Sequence, residues 1–112
     1  MLYEQNDILY QDPKITVSLL RNPRGEIIGD EHQIILEGEN PTRYILQRHV
    51  LETLAKSQIP QLEKRLEIMH PGISYDLAQR GITTESISIA TSKAYLEERR
   101  QFEEWKKENP NL

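Results

Sequence analysis

The chain has 112 residues, a net charge of −4, no cysteine, 37% hydrophobic residues and 29% charged residues. This length predicts one domain, residues 1–112, and the missing cysteines exclude a disulfide scaffold, a thiolate nucleophile and a cysteine zinc site. The acidic balance does not favour nonspecific nucleic-acid binding. The sequence shows neither a signal peptide nor a membrane-spanning apolar run, so we expect a cytoplasmic protein without membrane contact.

The first third of the chain has the alternating pattern of a half-buried antiparallel sheet. Apolar residues alternate with polar ones from residue 14 to residue 19, beginning with Ile15 and Val17, and Leu20 breaks the alternation. The sequence at residues 22–25, Asn-Pro-Arg-Gly, is favourable for a type I turn. These signals predict a β-hairpin or a three-stranded meander over residues 14–37, within a β region that covers residues 8–37.

A helical region is predicted next, over residues 41–69. Asn40 is a suitable N-cap residue and Pro41 is well placed at the first helical position. Apolar residues at helical spacing follow, and they are expected to cover one face of the sheet. Pro60 interrupts this pattern, so the region is either one kinked helix or two separate helices.

Residues 74–108 predict a helical hairpin whose second helix is long and amphipathic. Gly81 suits the left-handed conformation that ends a first short helix. Thr83 or Thr84 can cap the second helix, which we expect to extend to Glu108. The predicted fold class is therefore α+β: a small antiparallel sheet in the N-terminal third packed by helices.

Three aromatic residues, Tyr95, Phe102 and Trp105, lie on the predicted long helix. They either pack against the chain's own sheet or bind a protein partner, because aromatic residues are enriched at the centres of interfaces. A helix of this length spans about 36 Å, so part of it should project from a domain this small. The leading prediction is a non-enzymatic interaction module (a small adaptor, inhibitor or assembly subunit) that forms a homodimer through helices and needs no cofactor.

A first alternative is a DNA-binding regulator that uses residues 74–93. This stretch has the rhythm of a helix-turn-helix, with Ala78 allowing close helix approach and Gly81 forming the turn. Its candidate nucleic-acid contacts are drawn from the turn and the second helix: Arg80, Thr84, Ser88 and Lys93. Nucleic acid is a possible partner under this hypothesis, although the basic residues near the motif are few.

A second alternative is a small enzyme with a site between sheet and helix. Its candidate catalytic residues are His32, His49, Arg48 and Arg43. No nucleophile elbow, phosphate-binding glycine loop or paired-histidine motif accompanies them in the sequence, and no metal site is predicted. The hypothesis therefore requires these four side chains to converge in a pocket.

Overall fold

A computed structural model describes residues 8–21, 23–24 and 27–110 of the chain. The turn predicted at residues 22–25 lies partly outside the described residues, because Asn22 and Gly25 are not among them. The described elements are, in chain order, β1 (Ile8–Gln11), β2 (Ile15–Arg21), β3 (Ile27–Leu36), β4 (Thr42–Gln47), α1 (Arg48–Ala55), α2 (Ile59–Met69), α3 (Ile73–Gln79) and α4 (Thr84–Glu108).

The four strands form one antiparallel sheet in the order β1-β2-β3-β4. In its register, Val17 pairs with Ile34, and Ile34 pairs in turn with Tyr44. The α+β prediction is confirmed, including the antiparallel sheet in the N-terminal half and the long last helix. The strands differ from the predicted meander: β3 runs without a break over residues 27–36, and β1 and β4 lie on either side of residues 14–37.

One face of the sheet packs against the helices and supplies six of the sixteen described residues of the hydrophobic core. Ile15 and Val17 of β2 and Ile34 and Leu36 of β3 are all buried in the cluster that also contains the apolar helix residues. Their spacing of two residues follows from the alternation of side chains along a strand. The opposite face carries polar residues such as Thr16, whose Oγ1 donates to Glu37 Oε2 at 2.6 Å.

The helix predicted to begin at Pro41 is wrong, because residues 42–47 form β4. Tyr44 and Leu46 point towards the core and Ile45 is exposed, which is strand periodicity. Pairing with β4 satisfies the backbone N–H and C=O groups along one edge of β3. These groups would have no partner strand if residues 42–47 formed a helix. Asn40 does not cap a helix; its backbone carbonyl instead accepts a hydrogen bond from the Arg80 guanidinium.

Pro60 separates two helices rather than kinking one. Helix α1 ends at Ala55, and α2 begins at Ile59 with Pro60 in its first turn. This position needs no intrahelical N–H donor, so proline is tolerated there. Both helices direct leucines into the core: Leu51, Leu54, Leu62 and Leu66.

The hairpin of α3 and α4 matches the predicted boundaries closely. Gly81 adopts a φ of +67°, the left-handed conformation expected between the two helices. The Thr83 side chain accepts a hydrogen bond from the Ser86 backbone N–H at 3.1 Å and so caps α4. The first half of α4 packs into the core through Ile87, Ala90, Thr91 and Ala94.

A polar network centred on Asp76 ties α3 to the sheet. Thr42 Oγ1 and Tyr44 Oη each donate to Asp76 Oδ2 at 2.6 Å. Arg80 Nε donates to Asp76 Oδ1 at 2.7 Å, and its Nη1 donates to the carbonyl of Glu37 at 3.1 Å. Burial alone would raise the pKa of Asp76, but the hydrogen bonds from Thr42, Tyr44 and Arg80 outweigh it and lower that pKa.

Candidate protein-interaction site

The last two turns of α4 extend beyond the packed body of the domain. The helix has 25 residues and so measures about 37 Å, while the longest dimension of the described structure is 46 Å. Every residue from Phe102 to Glu108 is exposed, whereas the buried residues of this helix end at Ala94. The projecting segment therefore contributes little to the core and presents its side chains to the surroundings.

Two aromatic rings dominate this projecting segment. The rings of Phe102 and Trp105 stack with their centroids 6.2 Å apart and their planes 17° apart. Phe102 is 54% exposed and Trp105 is 46% exposed. The Lys106 ammonium lies 5.7 Å from the Phe102 centroid, within cation–π range. We call Phe102 and Trp105 the aromatic end.

The aromatic end continues the same helical stripe that is buried upstream. Tyr95, Glu98, Phe102 and Trp105 are spaced alternately by three and four residues, so they share one face of α4. Tyr95 is half-buried, but the aromatic end is exposed because the sheet and the other helices do not cover it. The expectation that all three aromatics pack on the chain's own sheet is thus wrong for Phe102 and Trp105.

A groove of about 280 Å³ lies at the base of the aromatic end, between the start of α1 and the second half of α4. One wall comes from α1 and the other from α4, which includes Phe102. The residues that line this groove are Arg48, Glu52, Tyr95, Glu98, Arg99 and Phe102. An apolar surface therefore runs from Tyr95 into the aromatic end, with charged side chains along it.

Cations surround the Tyr95 ring at the upper end of the groove. Lys56 Nζ lies 5.6 Å from its centroid and Arg99 Cζ lies 5.9 Å from it. Lys56 also donates to Glu52 at 2.8 Å, and this hydrogen bond, together with the ammonium charge, lowers the pKa of the Glu52 carboxyl. The Glu52 carboxylate is therefore already paired with Lys56, four residues further along the chain.

The outer face of the second half of α4 carries a network of intrahelical ion pairs. Arg100 contacts Glu97 at 2.6 Å and Glu104 at 2.7 Å. Hydrogen bonds from Arg100 and then Gln101 lower the pKa of Glu97 to about 2. These charges pair along the helix on the side away from Phe102, so they solubilise the segment without covering the aromatic end.

His32 and Arg48, two of the four predicted catalytic residues, meet at Glu98. His32 Nε2 lies 2.8 Å from Glu98 Oε2, and Arg48 Nε lies 3.6 Å from Glu98 Oε1. Because a carboxylate only accepts, Nε2 is the donor. His32 is fully buried, and its Nδ1 has no hydrogen-bond partner among the described residues. This buried contact connects α4 to the sheet.

The other two predicted catalytic residues lie apart from His32. His49 is exposed beside Arg48 at the start of α1, where both residues line a second groove of about 340 Å³. Arg43 is exposed on the sheet face opposite the helices. The four residues therefore do not form one pocket. Within the described part of the chain, no group of three metal-ligating side chains is placed to hold a metal ion.

The predicted nucleic-acid residues also occupy different surroundings. Arg80 is held by Asp76 and by carbonyls of the β3–β4 loop, and its side chain is mostly covered. Thr84 and Ser88 are half-buried, and Lys93 is exposed. The two cations of this set therefore differ in their surroundings: the Arg80 guanidinium is engaged within the fold, whereas Lys93 is exposed.

The helix-turn-helix prediction also fails at Ala78. The expected close helix approach does not occur there, because Ala78 is exposed. Leu77, Ile82 and Ile87 do point inward, so the turn follows ordinary helical-hairpin packing.

Sequence reasoning missed Glu98, although a signal for it was available. Glu98 falls on the apolar face of α4, and His32 falls on the core-facing positions of β3, in phase with Ile34. Two polar residues in apolar phase on two different elements indicate a buried polar pair. Two partners of Asp76, Thr42 and Tyr44, left no such signal, because they come from β4, which the sequence assigned to a helix.

No family model matches this chain, no curated protein matches its sequence, and no solved structure matches its fold. Among the described residues, no helix combines the length and the apolar character that crossing a membrane requires.

Proposed function

We propose that this chain is a non-enzymatic interaction module that binds another protein surface through the aromatic end of α4. The observation that supports this proposal is the stacked pair of Phe102 and Trp105, half exposed on a helix segment that extends past the core. A role as adaptor, inhibitor or assembly subunit fits this arrangement. We also propose that it acts in the cytoplasm, as predicted from the sequence.

The exposed area of the aromatic end is large enough to anchor an interface. Phe and Trp side chains each carry roughly 150–250 Å² of surface, and about half of each ring is exposed here. Covering that half removes roughly 100 Å² per ring from water, which is worth about 2.5 kcal/mol per ring. Two adjacent aromatic anchors of this size have the character of an interface hot spot.

The position of the aromatic end on α4 also indicates that Phe102 and Trp105 bind a partner rather than stabilise the fold of the free chain. Upstream, the apolar face of α4 covers the sheet with small residues such as Ala90 and Ala94. Downstream, where no element of the described structure covers it, the same face changes to large aromatic residues. Large aromatics at an uncovered position increase the area that a partner can bury, while they add little to the stability of the free chain.

The proposal is tested by removing the aromatic end and measuring association. The variant is Phe102→Ser/Trp105→Ser, and the matched control is Ile89→Ser/Leu96→Ser, which removes two exposed apolar residues from a face of α4 about 120° from Phe102. Light scattering over a dilution series at low and high salt gives the molar mass, and affinity capture with each variant as bait reports other protein partners.

We expect the aromatic variant to lose an association that the wild type and the control variant retain. A dimer that disappears only in the aromatic variant supports the homodimer predicted from the sequence. A monomer that retains a specific protein only when Phe102 and Trp105 are present supports a different partner. Equal association by the wild type and both variants contradicts the proposal.

A further inference from the structure

One edge of β4 has no neighbouring strand in the described structure. The sheet order is β1-β2-β3-β4, so β4 pairs with β3 on one side only. Arg43 and Ile45 of this strand are both exposed. A strand edge of this kind presents backbone N–H and C=O groups that can pair with an added strand.

The hydrogen-bond pattern of the sheet shows which residues of β4 turn their backbone groups to the open edge. The Glu37 N–H donates to the Lys14 carbonyl at 2.8 Å, one position beyond the paired ends of β2 and β3. Because hydrogen-bonded pairs alternate along antiparallel strands, the odd-numbered residues of this part of β3 bond to β2 and the even-numbered ones bond to β4. Ile34 therefore bonds to Tyr44, its partner in β4. The residues on either side of Tyr44 turn outward.

Arg43 and Ile45 are these outward-facing residues, and a contact at Ile45 agrees with this pattern. His70 Nε2 donates to the Ile45 carbonyl at 3.0 Å, so that oxygen faces away from β3. A carbonyl oxygen has two lone pairs and can accept a second hydrogen bond. Within the described part of the chain, no other hydrogen bond occupies the outward backbone groups of these two residues. The open edge therefore offers one N–H and one C=O at each of them.

A largely apolar groove continues from this edge between α1 and α2. A hollow of about 380 Å³ lies at the end of β4, and Ile45, Val50 and Met69 are among the residues that line it. A second hollow of about 160 Å³ shares Val50 and Met69 with the first and reaches Ile68, which is 79% exposed. We call the outward backbone of Arg43 and Ile45, together with these two hollows, the edge groove.

The chemistry of the edge groove selects an extended polypeptide as its occupant. Outward N–H and C=O groups at strand spacing are matched by another strand, whereas a helix uses its own backbone groups internally. The hollows between α1 and α2 can take an apolar side chain of that strand. Glu31 and Arg65 also line them, with opposite charges, so charge does not select the occupant.

A second copy of the chain matches the backbone of the edge but not the hollows. In the antiparallel registers that pair most of β4 with a second β4, Gln47 lies opposite residue 41 or residue 43 of the other copy. The segment that then reaches the hollows is the loop before β4, residues 38–41, with the sequence Gly-Glu-Asn-Pro. This loop has no large apolar side chain to cover Val50, Ile68 and Met69.

We infer that the edge groove binds an extended segment of a different protein, which adds a fifth strand beside β4 and places an apolar side chain between α1 and α2. This inference goes beyond the proposed function, because it does not use the aromatic end. Backbone pairing with Arg43 and Ile45 supplies affinity, and the apolar hollows supply the preference for one sequence over another.

Amide hydrogen exchange of the full chain, followed residue by residue by NMR, tests the open edge without a partner. We expect the amides of Arg43 and Ile45 to exchange about ten-fold or more faster than that of Tyr44, because of these three only Tyr44 bonds to β3. Peptides are then selected on the full chain from a phage-displayed library of random sequences. A selected peptide should slow exchange at Arg43 and Ile45 and leave Tyr44 nearly unchanged.

Two variants at one position separate the backbone of the edge from its side chains. Arg43→Pro removes an outward N–H without removing a bond to β3, and edge strands tolerate proline at such positions. Arg43→Thr is the matched control, because it loses the same charge but keeps the N–H. We expect Arg43→Pro to weaken binding of the selected peptides about ten-fold or more, and Arg43→Thr to change it little.

A second pair of variants tests the hollows. Ile68→Glu should weaken the peptides about ten-fold, because a carboxylate covered by an apolar side chain loses its hydration. Leu96→Glu changes an exposed apolar residue of α4 in the same way and should have no effect. Since Ile68 and Leu96 are both exposed, this pair still decides the inference if Arg43→Pro fails to fold. The aromatic variant Phe102→Ser/Trp105→Ser should bind the peptides as the wild type does.

Four outcomes would overturn the inference, and none of them counts against the aromatic end. Selection of no peptide, or of peptides that Arg43→Pro and Ile68→Glu do not weaken, denies the edge groove a peptide partner. Slow exchange at Arg43 and Ile45 that quickens on dilution assigns the edge to a second copy, and slow exchange at every dilution means that the edge is already covered. Peptides lost only in the aromatic variant bind at the aromatic end and support the proposed function instead.

Discussion

Replacing Asp76 with Ala tests the network that fixes the helical hairpin, and hence α4, on the sheet. The carboxylate accepts from Thr42 and Tyr44 at 2.6 Å and from Arg80 at 2.7 Å. The side chains of Asp76 and Arg80 are only 19% and 17% exposed. Solvent therefore screens these bonds less than it screens a surface ion pair.

The size of the expected loss follows from the number and kind of these bonds. A hydrogen bond to a charged group contributes a net 1.5–3 kcal/mol or so when it is well shielded. The three bonds are not additive, and Arg80 keeps its bond to the Glu37 carbonyl. We therefore expect Asp76→Ala to lower the free energy of unfolding by about 3 kcal/mol, a large part of the roughly 5–15 kcal/mol typical of a domain.

Urea unfolding followed by circular dichroism measures this loss, and the slope of the transition checks that unfolding stays two-state. Glu104→Ala is the matched control, because Glu104 pairs with Arg100 in an exposed geometry and should cost less than about 0.5 kcal/mol. A loss below about 1 kcal/mol for Asp76→Ala, or equal losses for the two variants, would refute the role given to the network.

The same carboxylate predicts the direction of a pH dependence. Because the folded structure lowers the pKa of Asp76 below its ordinary value of 3.8, the stabilisation is fully present above that value. It is lost as the pH falls through the lower pKa of the folded state. The stability difference between the wild type and Asp76→Asn should therefore be constant near neutral pH and shrink in acid below about pH 4; a difference that grows in acid contradicts this sign.

Three further predictions concern other parts of the fold, each measured by urea unfolding. Leu51→Ala should lower the free energy of unfolding by about 2–5 kcal/mol because Leu51 is fully buried, whereas Phe102→Ala should lower it by less than about 1 kcal/mol. Equal losses for the two variants would place Phe102 in the core. His32→Ala should lower the free energy of unfolding by about 2–4 kcal/mol, because it leaves a cavity and removes the hydrogen bond to Glu98. An unchanged free energy of unfolding would contradict a structural role for His32. Gly81→Ala should lower the free energy of unfolding by about 1–2 kcal/mol, because alanine is strained at the φ of +67° that Gly81 adopts. The added Cβ itself would cause no clash, because it meets only Lys14 Nζ, at 3.7 Å. A stabilising effect would contradict the left-handed turn.

The helical hairpin was predictable from the sequence because its signals are local. Thr83 caps through a bond to a residue three positions later, and Gly81 adopts its conformation through its own φ. The residue types at these positions determine the structure with little help from the rest of the chain. The boundaries of α4 followed for the same reason.

The fourth strand was not predictable in this way because its signals are not local. Tyr44, Ile45 and Leu46 are consecutive apolar residues, which fit a strand and a helix equally well over so short a run. The structure is decided by β3, whose edge binds this segment in antiparallel register. Asn40 and Pro41 then lie in the connecting loop, although the pair is also a common helix start.

For the aromatic end, the sequence predicted the helix face of Phe102 and Trp105 but did not decide whether that face is covered. The sequence placed Phe102 and Trp105 on the apolar face of the last helix, and that placement is confirmed by their stacking on one side of α4. The sequence left open whether that face is covered, because coverage depends on where the sheet stops beneath the helix. The structure shows that the body of the domain stops short of both rings.

The most direct test of the interaction surface is site-specific photo-crosslinking in the cells that naturally make this chain. A photoreactive phenylalanine analogue is placed at Phe102 in one sample and at Leu96, on another exposed face of α4, in a second sample. Our account predicts a discrete adduct from position 102 and none from position 96, with a mass above that of the 13.1 kDa chain that identifies either a second copy or a different protein. No adduct from position 102, or the same adducts from both positions, would contradict it.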